Sequence, residues 1–185
     1  MQGSWHDLGH VLGTLTQLVN SGPDVAETDA LGDLDSLHAF IDSRTISEVA
    51  EPSEAELDAL HALRRQLRAI VVASTEESRA DMVNALLSRA TITPRVVDHD
   101  GLGRHLHYFP PYAPLTEHLL ADCAMALAHL LAADESPRLR ICARPGCGRA
   151  LFDTTKNRSR IYCDSATCGN RLHSAAYRAR QAKAG

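Results

Sequence analysis

The 185-residue sequence has no uninterrupted apolar run close to the roughly 20 residues that a membrane-spanning helix needs. Its first seven residues lack the basic stretch and apolar run of a secretory signal. Aromatic residues are scarce, at 4%, while the hydrophobic content of 44% and the charged content of 23% are typical of a soluble globular protein. We therefore expect a cytoplasmic protein with no membrane partner.

The common signatures of enzymes are also missing. There is no Gly-rich phosphate loop, no G-x-S-x-G nucleophile motif and no pair of carboxylates in clearly different surroundings. The sequence thus gives no positive reason to predict a catalytic residue, and we expect that the protein is not an enzyme.

Cysteines are present in an informative pattern. Four of the five lie within 27 positions, as Cys142-x4-Cys147-x15-Cys163-x4-Cys168. Two short cysteine pairs separated by a longer segment can present four thiolates to one tetrahedral zinc ion. We predict one structural Zn²⁺ on these four residues, because four sulfur ligands leave no position for a reactive water molecule. A redox dithiol is the alternative, but neither pair has the Cys-x-x-Cys spacing of such sites.

The net charge of -4 conceals a strong asymmetry. Residues 1–137 hold 8 Lys and Arg against 21 Asp and Glu, hence -13, whereas residues 138–185 hold 11 against 2, hence +9. A short basic segment behind an acidic domain indicates a polyanionic partner, because Lys and Arg set against phosphates release counterions. Packing of the basic segment on its own acidic domain is the alternative.

Apolar periodicity and capping residues predict a multihelical N-terminal domain. The expected helices cover residues 6–20, a segment capped by Asp33, a segment opened by a capping box of Ser53 and Glu56, a short segment at residues 82–87, and residues 115–133. Cys123 lies on the apolar face of the last helix, where we expect a small core residue rather than a nucleophile. Residues 94–99 and 104–109, joined by Asp100-Gly101, predict a β-hairpin.

The C-terminal segment predicts a small treble-clef-like module. Residues 150–152 and 160–162 are expected to form two short strands joined by a turn, followed by a helix that opens on Cys168. One face of that helix is polar and basic, and such side chains contact phosphates and base edges. The predicted nucleic-acid contacts are Arg158, Arg160, Asn170, Arg171, His173, Arg178 and Arg180. Basic neighbours would also offset the -2 charge of a Zn²⁺ with four thiolates, namely Arg144, Arg149, Arg160 and Arg171.

Two groups of histidines permit other chemistry. His6 and His10 share a helical face, but the glutamate of a metalloprotease motif is absent, so we expect a surface pair. His105 and His107 share a strand face and, with His99, could form a ligand or metal pocket. We favour the simpler interpretation that they are polar residues facing solvent.

The segment from Cys142 to Arg180 resembles the CGNR zinc-finger family of bacteria. The resemblance rests on the four cysteines, on Leu151-Phe152-Asp153, on Asn157-Arg158-Ser159-Arg160, and above all on Cys168-Gly169-Asn170-Arg171. It covers about a quarter of the chain well.

The acidic helical part looks like the N-terminal ABATE domain of the same family, whose members are described as stress-induced transcription regulators. Leu18-Val19-Asn20-Ser21 only partly matches the family's helix end, which reads Asn-Thr. Ile161-Tyr162-Cys163 departs from the family's Arg-Trp-Cys. The resemblance implies an ABATE-like domain over 1–136 and a zinc-finger module over 137–185.

Together these observations predict a mainly α protein that binds DNA through its zinc module and senses a signal through its N-terminal domain. A small-molecule effector of that domain and a homodimer are further expectations. Two alternatives stay open, a zinc-stabilised protein-interaction module and a ligand-binding or enzymatic N-terminal domain.

Overall fold

The computed structural model describes residues 3–101 and 103–169 of the chain. Over these residues the fold is mainly helical, with two small antiparallel strand pairs, as the sequence predicts. The helices are α1 (Gly3–Asn20), α2 (Leu34–Ser43), α3 (Glu54–Val72), α4 (Glu76–Leu87) and α5 (Leu115–Ala132). The strands are β1 (Arg95–Asp98), β2 (Arg104–His107), β3 (Leu139–Ile141) and β4 (Ala150–Phe152).

Side-chain caps begin the predicted helices. The Asp33 carboxylate accepts a hydrogen bond from the Ser36 N–H at 2.8 Å, and the Ser53 hydroxyl accepts one from the Glu56 N–H at 3.4 Å. The capping box predicted at Ser53 was wrong in its second bond, from the Glu56 side chain back to the Ser53 N–H. The Glu56 carboxylate accepts instead from the Thr116 N–H at 2.7 Å, and so ties the start of α3 to the start of α5.

The predicted β-hairpin is confirmed by the pairing of β1 with β2. Val96 lies opposite Leu106, and Val97 lies opposite His105. The connecting turn contains Asp100 and Gly101 at φ 58° and 71°, in the left-handed region that such short turns need.

One hydrophobic core joins the helices. Leu12, Leu15 and Leu18 of α1 are fully buried, as are Leu60 and Leu67 of α3. Cys123 of α5 lies in the same core, where burial raises the pKa of its thiol, so the expectation of an inert core residue is confirmed.

The core extends into the cysteine segment. Leu139 of β3, together with Ala150 and Phe152 of β4, belongs to the same buried cluster as the helices. The Asn20 side chain at the end of α1 adds two hydrogen bonds, since it accepts from the Ala150 N–H at 2.7 Å and donates to the Ala150 carbonyl at 2.9 Å. The helical part and the cysteine segment therefore pack together in one hydrophobic core. The domain boundary at 136/137 stays a prediction.

The strand predicted at residues 150–152 is confirmed as β4, but its predicted partner was wrong. β4 pairs with β3, so that Ala150 lies opposite Ile141, and residues 160–162 form no strand. The reason lies in the loop that follows β4, because the buried side chain of Asp153 bonds to Thr155 and Arg160 and folds this loop back on itself. Ile161 still meets the segment after β3, where its carbonyl accepts from the Ala143 N–H at 2.8 Å.

Helix α5 is long and apolar enough to cross a membrane by length and composition alone. In the fold 56% of it is buried, and it packs against α1, α3 and α4. These are the properties of a central core helix.

Candidate functional site: a four-cysteine metal centre

The sulfur atoms of the four predicted ligands converge. Those of Cys142, Cys147, Cys163 and Cys168 all lie within 4.8 Å of one another. The Sγ–Sγ distance is 3.7 Å from Cys147 to Cys163 and to Cys168, and 3.5 Å between Cys163 and Cys168. Thiolates bound at about 2.3 Å to a tetrahedral zinc ion lie about 3.8 Å apart. The four cysteines therefore form a zinc-binding site for one structural Zn²⁺.

The turn between β3 and β4 positions the first two ligands. Cys142 directly follows β3, and Cys147 lies in a turn closed by its own N–H, which donates to the Arg144 carbonyl at 3.0 Å. Gly146 and Gly148 flank Cys147 at φ 71° and 66°, a conformation that residues with a side chain rarely adopt. The glycines thus allow the chain to turn tightly around Cys147.

A single helical turn positions the last two ligands. Cys163 precedes that turn, and Cys168 lies within it, at Ser165–Gly169. The N–H groups of Cys168 and Gly169 both donate to the Asp164 carbonyl, at 3.0 and 3.1 Å. The remainder of the predicted C-terminal helix lies outside the described residues.

Asp153 organises the loop between β4 and the last two cysteines. Its fully buried carboxylate accepts from the Thr155 N–H at 2.8 Å, from the Thr155 hydroxyl at 2.6 Å, and from the Arg160 N–H at 2.8 Å. Burial opposes ionisation of this carboxyl, but the hydrogen bonds outweigh it and lower its pKa. The ionised Asp153 therefore folds residues 154–160 into the loop that delivers Cys163.

The thiols themselves indicate that a cation belongs between them. Burial, together with the neighbouring thiols, raises the pKa of Cys163. Burial also opposes ionisation of Cys168, but hydrogen bonds from Arg144 and from the other cysteines outweigh it and lower its pKa to about 7. Closely spaced thiolates repel one another, and a divalent cation is the group that would stabilise all four in the ionised form.

Arg144 is the basic neighbour that contacts the sulfurs directly. Its Nε donates to Cys168 Sγ at 3.1 Å, and this hydrogen bond is the main cause of its own raised pKa. The expectation that a nearby arginine offsets the negative charge of the centre is therefore confirmed for Arg144.

Comparison with known protein families agrees with this geometry. A family model described as "CGNR zinc finger" matches residues 138–181. A second, ABATE, described as "Putative stress-induced transcription regulator", matches residues 14–134, which is more than half of the chain. This chain belongs to the ABATE family. No curated protein matches it.

Most of the nucleic-acid contacts predicted for this ABATE protein lie outside the described residues, namely Asn170, Arg171, His173, Arg178 and Arg180. Arg158 and Arg160 are described and exposed. Arg158 forms an ion pair with Glu135 at 2.9 Å, and Arg160 donates to the carbonyls of Tyr162 and Cys163. All seven residues stay predictions.

Sequence reasoning missed the structural roles of Asn20 and Asp153. Asp153 had a readable signal, because an aspartate two residues before a threonine commonly bonds to that residue's N–H in an Asx-turn. Asn20 had none, since its partner Ala150 is 130 positions away along the chain.

The histidine predictions need one correction. His105 and His107 are only 7% and 8% exposed, so the expectation that they face solvent was wrong. The alternation of β2 turns both rings toward the helices, because Arg104 and Leu106 take the outward positions. For the predicted surface pair, the His6 side chain is outside the described part and His10 is half-buried.

Proposed function

We propose that this ABATE-family protein is a DNA-binding transcription regulator whose structural zinc holds the basic C-terminal segment in a fixed fold. The convergence of the four sulfurs within the part of the chain that carries a net charge of +9 is the observation on which the proposal rests. The transcription-regulator description of the matching family supports it.

Charge distribution supports DNA as the partner. Some arginines of the described module have partners within the protein, since Arg138 pairs with Glu135 at 2.7 Å and Arg144 bonds to Cys168. Others are exposed and can contact a partner molecule. Arg149 and Lys156 are exposed, and we add them to the predicted phosphate contacts. Together with Arg171, Arg178 and Arg180, they would supply positive charge for contacts with the DNA backbone.

We further propose that the acidic helical domain senses a signal and passes it to the module. A small pocket of about 60 Å³ lies between α1, β2 and α5 and has room for a ligand of a few atoms. The shared core at Leu139, Ala150 and Phe152 supplies a physical route, because a shift of α1 or α3 must displace these residues.

The salt dependence of DNA affinity tests the proposal. Fluorescence anisotropy of the full chain with duplex DNA, from about 50 to 200 mM salt, should give a logarithmic slope of about -0.9 for each phosphate neutralised. The double variant Arg171→Ala plus Arg178→Ala should weaken binding and reduce the slope by about 2. Removing zinc with a chelator should abolish binding.

Arg65→Ala is the matched control, because Arg65 is an exposed arginine on α3, outside the basic segment. It should leave affinity and slope unchanged. A salt-independent affinity, or equal losses from Arg65→Ala and the double variant, would contradict DNA binding by this segment.

A further inference from the structure

A second group of metal-ligating side chains lies in the helical domain, around the β1–β2 hairpin. His99, His105 and His107 each offer a ring nitrogen, and these nitrogens all lie within 4.8 Å of one another. The ring centroids are 4.8 to 5.0 Å apart. β2 supplies His105 and His107 from its inward face, and His99 follows β1 at the hairpin turn.

The outer nitrogens of two of the three rings meet an acceptor of the protein. Nδ1 of His99 lies 2.7 Å from an Asp100 carboxylate oxygen, and Nδ1 of His105 lies 2.8 Å from the Gly103 carbonyl. Nδ1 of His107 lies 3.6 Å from a Glu48 carboxylate oxygen, which is too far for a hydrogen bond, and it has no other partner in the described part of the chain. A histidine that donates Nδ1–H to a carboxylate or carbonyl presents the Nε2 lone pair on its other side, as metal-bound histidines do.

The inner nitrogens have few partners within the protein. Nε2 of His105 lies 3.0 Å from Nε2 of His107, so without a metal one of these rings can donate a hydrogen bond to the other. Nε2 of His99 is buried and has no hydrogen-bond partner among the described residues. Two nitrogens bound at about 2.1 Å to one ion lie about 3.0 to 3.4 Å apart, from octahedral to tetrahedral geometry. A cation would satisfy all three nitrogens.

We propose that Nε2 of His99, His105 and His107 together bind one divalent transition-metal ion in the helical domain. Imidazole nitrogens suit zinc, iron, nickel and copper, whereas magnesium and calcium prefer oxygen ligands.

The proposed site opens onto the pocket between α1, β2 and α5. His105 and His107 line that pocket, and Thr14, His118 and Asp122 face it from the two helices. Three protein ligands leave at least one coordination position, which a small ligand with an oxygen or nitrogen donor could fill from the pocket. Metal binding at these histidines does not require DNA binding, and it uses none of the four cysteines.

Metal counting on the full-length protein tests the site. The wild-type chain should take up two equivalents of Co²⁺, one with the intense thiolate-to-metal absorption of the cysteine centre and one without it. His99→Gln should lose the second equivalent and keep the first. The retained thiolate absorption reports that the variant is folded, and His99 suits the test because 26% of its side chain is exposed.

Two further variants sharpen the result. Asp100→Asn, which alters the hydrogen-bond partner of His99, should lower the affinity for the second Co²⁺ by about 10-fold to 100-fold without abolishing its binding. His38→Gln is the matched control, because His38 is an exposed histidine on α2, and it should retain both equivalents. Uptake of one equivalent by the wild-type chain, or an unchanged second equivalent in His99→Gln, would overturn the proposal.

Discussion

Arg144 shows how much one side chain outside the ligand set contributes to the metal centre. Its guanidinium donates to Cys168 Sγ and brings positive charge to a cluster that carries -2 when four thiolates hold one Zn²⁺. A hydrogen bond to a thiolate both orients the ligand and lowers its basicity toward protons. The residue therefore acts on the metal through the sulfur.

We expect Arg144→Ala to lower zinc affinity by about 10-fold to 100-fold, because it removes the hydrogen bond and the charge that stabilise the Cys168 thiolate. Competition against a chelator of known affinity measures the change. Arg65→Ala removes an exposed arginine of α3, outside the cysteine segment, and it should leave the affinity within twofold. Equal effects of the two variants would assign the role to general charge and not to the Arg144 contact.

A second residue-scale prediction concerns the buried Arg64. Arg64 is 6% exposed, and its Nη1 donates to Asp29 at 2.7 Å. Hydrogen bonding and charge from Arg64 hold the pKa of Asp29 below its usual value, against the opposing effect of burial. Since the folded pKa lies below the unfolded one, the stabilisation is complete above about pH 4 and is lost as the pH falls through the folded pKa.

Asp29→Asn should therefore reduce the free energy of unfolding by roughly 1 to 3 kcal/mol at pH 7, because it weakens the pairing of a buried cation. The difference from wild type should shrink when urea unfolding is repeated below pH 4. Asp58→Asn, at an exposed position of α3, should cost less than about 0.5 kcal/mol at either pH. A difference for Asp29→Asn that stays constant with pH would refute the ion-pair account.

At the scale of elements, the end of α1 and the edge of β4 form a junction through Asn20. The Asn20 amide bonds to both backbone groups of Ala150 and so serves as an extra pairing partner for this short strand. The amide is 8% exposed, which leaves little room for water to replace it. The junction holds the strand that leads into the ligand loop.

Asn20→Ala should lower the free energy of unfolding by roughly 2 to 5 kcal/mol, since it leaves a buried N–H and a buried carbonyl of Ala150 without partners. Chemical denaturation of the zinc-loaded chain measures this. Asn84→Ala, on the exposed face of α4, is the control and should change stability by less than about 0.5 kcal/mol. Similar costs for the two variants would show that the junction contributes little.

At the scale of the whole molecule, the strands that lead into the metal loops share one core with the helical domain, while the ligand cysteines form a small cluster of their own. Leu139, Ala150 and Phe152 pack with the leucines of α1 and α3, and Arg68 of α3 donates to the Gly148 carbonyl at 2.7 Å. Loss of metal should therefore loosen packing beyond the cysteine loops. Structural zinc sites in small domains contribute about 10 to 16 kcal/mol of apparent binding free energy, so the effect should be large.

We expect zinc removal to lower the melting temperature of the helices as well as to release the module. Circular dichroism at helical wavelengths, with and without chelator, measures this. Cys123→Ala, which changes a cysteine remote from the metal, should leave the zinc dependence of melting intact. Helical melting at the same temperature with and without zinc would mean that the two parts are energetically independent.

Local patterns were sufficient to predict the five helices, the β1–β2 hairpin and the four zinc ligands. These signals act over a few residues and can therefore be read directly from the sequence. They are the apolar spacing, the helix caps Asp33 and Ser53, and the turn at Asp100-Gly101. The cysteine spacing is equally local, because each pair lies within a single turn of the chain.

Only the tertiary structure decided which distant groups meet. The pairing of β4 with β3, the bond from Asn20 to Ala150 and the inward turn of His105 and His107 all depend on packing between segments far apart in the chain. Alternation along β2 was visible in the sequence, but not which face the helices would cover. The amino-acid order therefore determined the elements and the zinc ligands, and long-range packing determined how α1 supports the module and where the histidines gather.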